Sequence, residues 1–236
     1  MSMDAKAART GRPIYAAMGV LALFIVFAGF FRTFYLKGWF AQEPLSVLVW
    51  AHGLVMSSWF SLFFIQTWLV ASHRVDVHRK LGMAGAGVAA LVLLIGFPTA
   101  VIATRLGHVP PGAPPIPFLT IPLFELLVFA TLIGLGLALR RRPDTHRRLM
   151  LMGTLGVLPA ALFRVPLGFI QRGGVPVVFG ITDAILLVCL LYDTIRHRRL
   201  HPAMGWSFLF VAATHPFRLW LSGTEAWHRF ATWLIS

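Results

Sequence analysis

Among the ionisable residues inside apolar stretches of this chain, where charge is costly, five stand on five different stretches at similar depth: His52, Glu125, Arg164, Asp183 and His215; the basic Arg218 also falls inside a stretch. Two imidazoles facing one another from different helices form an axial pair for haem iron, so His52 and His215 are expected to hold haem b near the outer face. The same histidines with Glu125 and Asp183 offer nitrogen and oxygen ligands to a transition metal instead. Without a cofactor, Glu125, Asp183 and Arg164 are the kind of groups a proton-coupled carrier uses, or they form a structural polar layer. Arg164 and Asp183 are expected to form a buried ion pair with Glu125 as a second carboxylate, because their stretches are joined by a short turn.

The elements that must position these residues are seven apolar stretches: Ile14 to Phe31, Leu45 to Ser72, Leu81 to Thr104, Phe118 to Leu139, Leu149 to Ile170, Val175 to Ile195 and Gly205 to Ser222. Each approaches the ~20 residues that cross a hydrocarbon core as a helix. At ~1.5 Å rise per residue, His52, Glu125, Arg164 and His215 fall about 10 Å from the outer ends of their helices, and Asp183 roughly 12 Å. The five therefore share one layer in the outer half of the bilayer. A charged side chain at mid-helix costs about 2.5 to 3.5 kcal/mol, so they are expected to face the bundle interior.

Orientation follows from the basic residues. Of the 21 Lys and Arg, 14 fall before the first stretch or in every second gap: Lys6, Arg9 and Arg12; Arg74, Arg79 and Lys80; Arg140 to Arg142, Arg147 and Arg148; Arg196, Arg198 and Arg199. The positive-inside rule makes that side cytoplasmic. The N-terminus is expected inside and the C-terminus outside, with one helix followed by three helical hairpins. The first stretch has a basic leader but no small-residue cleavage site after Phe31, and reads as a retained anchor.

Composition supports a single all-α transmembrane domain over residues 1–236. A hydrophobic fraction of 58%, with 12% charged residues and a mean hydropathy of +0.77, leaves no polar stretch long enough to fold alone. The net charge of +13 sits in short juxtamembrane loops, which points to the lipid bilayer and its anionic headgroups rather than to nucleic acid. The single cysteine, Cys189, lies within the sixth stretch and can form no intrachain disulfide. No segment identifies a protein partner, and the expected location is a bacterial inner membrane.

A motif recurs in the cytoplasmic gaps: Asp76-Val77-His78-Arg79-Lys80-Leu81, Asp144-Thr145-His146-Arg147-Arg148-Leu149, and His197-Arg198-Arg199-Leu200 after Asp193. On one reading Asp76 and Asp144 cap helices and the basic residues enforce topology. On the other, His78, Arg79, His146, Arg147, His197 and Arg198 form a cationic floor that binds an anionic group, such as a lipid phosphate or cofactor carboxylates. The outer loops are poor in chemistry. Prolines at 110, 111, 114, 115 and 117 predict an extended connection, and Gly173-Gly174 a tight turn.

Walker, dinucleotide, nucleophile-elbow and zinc-protease motifs are all missing from the sequence. His201 and His215 are 14 residues apart, as are His52 and Gln66, which brings each pair near one helical face. Two-haem membrane cytochromes use about this separation with histidine at all four positions. Gln66 occupies one inner position here, which leaves an outer haem between His52 and His215.

Phe31-Arg32-Thr33-Phe34-Tyr35, His52-Gly53, Phe63-Phe64-Ile65-Gln66, His78-Arg79-Lys80-Leu81-Gly82, His146-Arg147-Arg148-Leu149-Met150, Tyr192-Asp193 and His201-Pro202 resemble a group of uncharacterised bacterial seven-span membrane proteins. The His-Arg-x-Leu turns are also similar to membrane domains of the cytochrome b class. The first resemblance implies a seven-helix fold over most of the chain, and the second implies haem. Three functions stand open on the sequence: a haem b redox protein, a proton-coupled small-molecule transporter, and a non-catalytic membrane subunit or assembly factor.

Overall fold

The computed structural model describes residues 12–40, 44–109 and 113–236. Lys6, Arg9, Pro110 and Pro111 lie outside the described residues, which are helical throughout apart from turns and short connections. Helix α1 (Arg12–Phe30) runs into a π-helical turn (Phe31–Tyr35) and a short helix α2 (Lys37–Phe40). Then follow α3 (Val47–Ala71), α4 (Val75–Arg105), the single turn α5 (Pro115–Phe118) and α6 (Thr120–Ala138). The second half holds α7 (Pro143–Leu155), α8 (Pro159–Leu162), α9 (Gly168–His197), α10 (Pro202–Ser222) and α11 (Glu225–Ile235).

Five segments are long and apolar enough to cross a membrane, namely Ile14–Tyr35, Val47–Ala71, Val75–Arg105, Pro115–Ala138 and Gly168–His197. Their outer faces agree with that reading, since Phe24, Val47, Leu94 and Ile195 are each at least 67% exposed. Surface so rich in large apolar side chains is suited to lipid rather than water. The other two expected spans depart from a uniform apolar helix. Helix α10 carries His215, Pro216 and Arg218, and the stretch from Leu149 to Ile170 is broken.

The break has a local cause. Helix α7 ends at Leu155; Gly156 to Leu158 intervene, and Pro159, which lacks an N–H, opens a new single turn. From Leu149 to Leu162 every residue is buried except the half-buried Met150 and Ala160. Irregular backbone is tolerable at membrane depth only when protein or a cavity surrounds it, and here protein does. The segment packs against α1, α6, α9 and α10, with Gly29 of α1 set against the Ala161 carbonyl where a side chain would not fit.

Several local expectations are corrected. Helix α4 starts at Val75 and α7 at Pro143, so Asp76 and Asp144 lie in first turns, where they complement the helix dipole, and do not occupy the cap positions. Proline takes the first position of α7, as its fixed φ and missing donor favour. The Gly173-Gly174 pair is a kink inside α9, with Gly174 at φ 58° and Pro176 beyond it; the connection from the broken segment comes earlier, over residues 163–167. Part of the proline-rich loop coils into α5. The C-terminal tail forms α11, which buries Trp227 and Ala231 and leaves Phe230 and Trp233 outward; Trp227 Nε1 donates to the Ile116 carbonyl at 2.9 Å.

Candidate functional site

The expected polar layer assembles around α10. His215 and Arg218 are separated by one helical turn on the buried face of that helix, at 3% and 0% exposure. His215 Nδ1 meets the Asp183 carboxylate of α9 at 3.0 and 3.1 Å, and its ring lies flat on Phe179, one turn earlier on the same helix, with centroids 4.1 Å apart. Its other nitrogen, Nε2, is buried without a hydrogen-bond partner.

Arg218 is among the largest fully buried side chains. One of its nitrogens, Nη2, donates to Thr214 Oγ1 at 3.0 Å, whereas Nε and Nη1 are buried and unpartnered. Its central carbon lies 5.7 Å from the Phe124 ring and 5.3 Å from the Phe179 ring. The carboxylates that act on it electrostatically are Glu125 and Asp183, yet among the described residues neither lies within salt-bridge distance. Glu125, on the buried face of α6, also lies within electrostatic reach of Arg164, and its Oε1 is unpartnered.

Arg164 closes the layer at its exposed edge. It follows α8, donates to the Ala160 carbonyl at 2.7 Å and lies over the Phe30 ring of α1. The half-buried His52 of α3 is within reach of its charge. The expected Arg164 to Asp183 pair does not form. Asp183 is taken by His215, and the break after α8 turns Arg164 toward Ala160 and Phe30. No hydrogen bond or ring contact joins His52 to His215, and their respective charged neighbours are Arg164 and Asp183. Among the described residues no three His, Cys, Asp or Glu side chains converge as a metal site.

At the opposite end, the three His-Arg turns meet, the second touching both the first and the third. Arg148, 3% exposed, donates through Nε to Asp193 Oδ2 at 2.8 Å and through Nη1 to the Asp144 carbonyl at 2.8 Å. His197 Nδ1 bonds the Asp193 carbonyl at 2.8 Å. Arg147 pairs with Asp144 at 2.7 Å and lies over the Tyr15 ring. His146 Nδ1 bonds the Gly136 carbonyl at 2.7 Å, and its ring meets that of His78 edge-on at 6.4 Å. Arg79 and Arg198 are exposed, and Arg198 takes a left-handed conformation that ends α9.

Sequence reasoning placed Arg148 and Asp193 only within the His-Arg motif, gave Arg218 no site role and passed over Phe179. Arg218 carried a legible signal, since it stands three residues after His215 and so on the same helical face. No protein-family model matches the chain, and no curated protein and no solved structure is similar to it.

Proposed function

We propose that the chain is a seven-span integral membrane protein of a bacterial inner membrane, cytoplasmic at its N-terminus, that acts as a proton-coupled small-molecule carrier. The single observation behind this reading is the broken, largely buried segment Leu149 to Leu162, which leads directly into a cluster of ionisable side chains. Discontinuous helices at the bundle centre are where carriers build their substrate sites. Glu125, Asp183, His215 and Arg218 supply the groups, with Arg164 and His52 at the margin. The basic turns hold anionic lipid headgroups on the cytoplasmic side.

The test is flux. Purified protein in liposomes loaded with a pH-sensitive dye is expected to acidify or alkalinise the lumen when a transported solute is added outside, and Glu125→Gln is expected to abolish the response. Absence of solute-dependent proton movement across a broad panel of acids, amines and sugars would contradict a carrier.

One observation favours a second reading. His215 has Nδ1 fixed by a carboxylate and Nε2 buried and free, the orientation in which protein histidines ligate metals. In that case His215 would hold haem b or a transition metal through Nε2, with His52 the other expected histidine, and the group would supply electron transfer. An absorption spectrum and metal analysis of protein purified from haem-replete cells test this reading, and a colourless, metal-free preparation would remove it. If both readings fail, the layer belongs to a non-catalytic membrane subunit.

A further inference from the structure

We infer that the solute is a small monocarboxylate, held by the free edge of Arg218 and bound together with one proton. The inference rests on the carrier reading and adds the class of its substrate.

A guanidinium has five N–H donors, four of which form two paired edges, Nε with Nη2 and Nη1 with Nη2. Thr214 takes one hydrogen of Nη2, while Nε and Nη1 have no partner although both are buried. Whichever Nη2 hydrogen Thr214 receives, one complete two-donor edge stays open. A carboxylate fits such an edge with two parallel hydrogen bonds. No side chain of the described residues provides them, because Asp183 is engaged by His215 and Glu125 stays beyond salt-bridge distance. Aromatic rings, those of Phe124 and Phe179, are the neighbours of the guanidinium carbon instead. A fully buried guanidinium left this way loses much of the solvation that water gave it, which a bound carboxylate restores.

Charge sets the stoichiometry. The ionisable groups that meet in this layer are Glu125 from α6, Asp183 from α9, His215 and Arg218 from α10, Arg164 after α8, and His52 from α3. With neutral histidines the two arginines balance the two carboxylates. One added monoanion leaves the layer at minus one in a medium of low dielectric, and one proton returns it to zero. Glu125 receives that proton: it shares Arg218 with the incoming carboxylate, and its Oε1 is buried without a donor. Asp183 is already engaged by His215. Binding of anion and proton is thus mutually favourable, and the pair crosses without net charge.

Titration calorimetry of the detergent-purified full chain with lactate, in two buffers of different ionisation enthalpy, reads both parts. The expected result is saturable binding with uptake of about one proton per lactate. Arg218→Gln, and Arg218→Lys, which keeps the charge but loses the fork, are expected to weaken binding roughly 10- to 100-fold. Glu125→Gln is expected to bind lactate without proton uptake. Lactate binding with no proton uptake, or with unchanged affinity in Arg218→Lys, overturns the inference. So does failure of lactate, pyruvate and benzoate alike to bind; in that case proton movement driven by an amine or a sugar in the liposome assay would show that the carrier reading stands and the substrate class alone is wrong.

Discussion

His215 lies flat against Phe179, ring centroids 4.1 Å apart and planes 7° from parallel, while Asp183 holds its Nδ1. Stacking sets the plane of the imidazole and the carboxylate sets its rotation, so Nε2 is aimed before any ligand arrives. The proposed site uses that orientation, since a buried nitrogen left unpaired costs free energy that a ligand would recover.

At the opposite end, Arg148 and Asp193 tie the broken segment to α9 through a pair that is buried on both sides. Removing one partner strands the other charge and is expected to cost about 3 to 5 kcal/mol, whereas the double replacement Arg148→Leu with Asp193→Leu is expected to cost much less. Thermal unfolding of single and double variants in detergent measures the difference. Additive losses would mean that the two charges do not depend on one another.

Orientation is checked by fusions. A reporter placed after Arg142 is expected in the cytoplasm and one placed after Ser236 outside, because the basic residues cluster in alternate gaps. Both reporters on one side would exclude an odd number of spans, with α10 or the broken segment the first to be reconsidered.

The sequence made the polar layer legible through depth alone: His52, Glu125, Arg164, Asp183 and His215 were expected at one level, and the structure brings His215 to Asp183 and Glu125 within reach of Arg164. The partners inside the layer were not legible. Depth says nothing of rotation about a helix axis, and the break before Pro159 changes the course of the chain that carries Arg164. Arg218 was counted as a basic residue inside a stretch and given no partner, although its spacing from His215 placed it on the same face. The capping role expected of Asp76 and Asp144 failed for a simpler reason, since Pro143 and Val75 open their helices one residue earlier.

His201 gives a pH dependence outside the spans. Its Nδ1 accepts from the Ala203 N–H at 3.1 Å as the cap of α10, a role open only to the neutral ring. Burial, and then the nearby Arg148 charge, lower its pKa below the ordinary value, against the opposing pull of Asp193 and Asp144. The unfolded chain therefore takes up this proton more readily than the folded one. The contribution of His201 to stability is complete above its ordinary pKa of about 6.5 and is lost as pH falls below it. Melting curves from pH 8 to pH 5 are expected to show that loss, and His201→Asn, which keeps a capping acceptor without titrating, to lessen it. An unchanged pH profile in His201→Asn would contradict the assignment.

The most direct test of a working site at the bundle centre is its accessibility. With Cys189 replaced by alanine, a cysteine introduced at Thr214, buried beside Arg218, is exposed to a membrane-impermeant maleimide from each side of oriented vesicles in turn. A carrier alternates between openings, so labelling is expected from both sides, and excess substrate is expected to slow it. If the position resists the reagent from both sides while a cysteine at the exposed end of α10 reacts, the buried charges hold the bundle together and transport nothing.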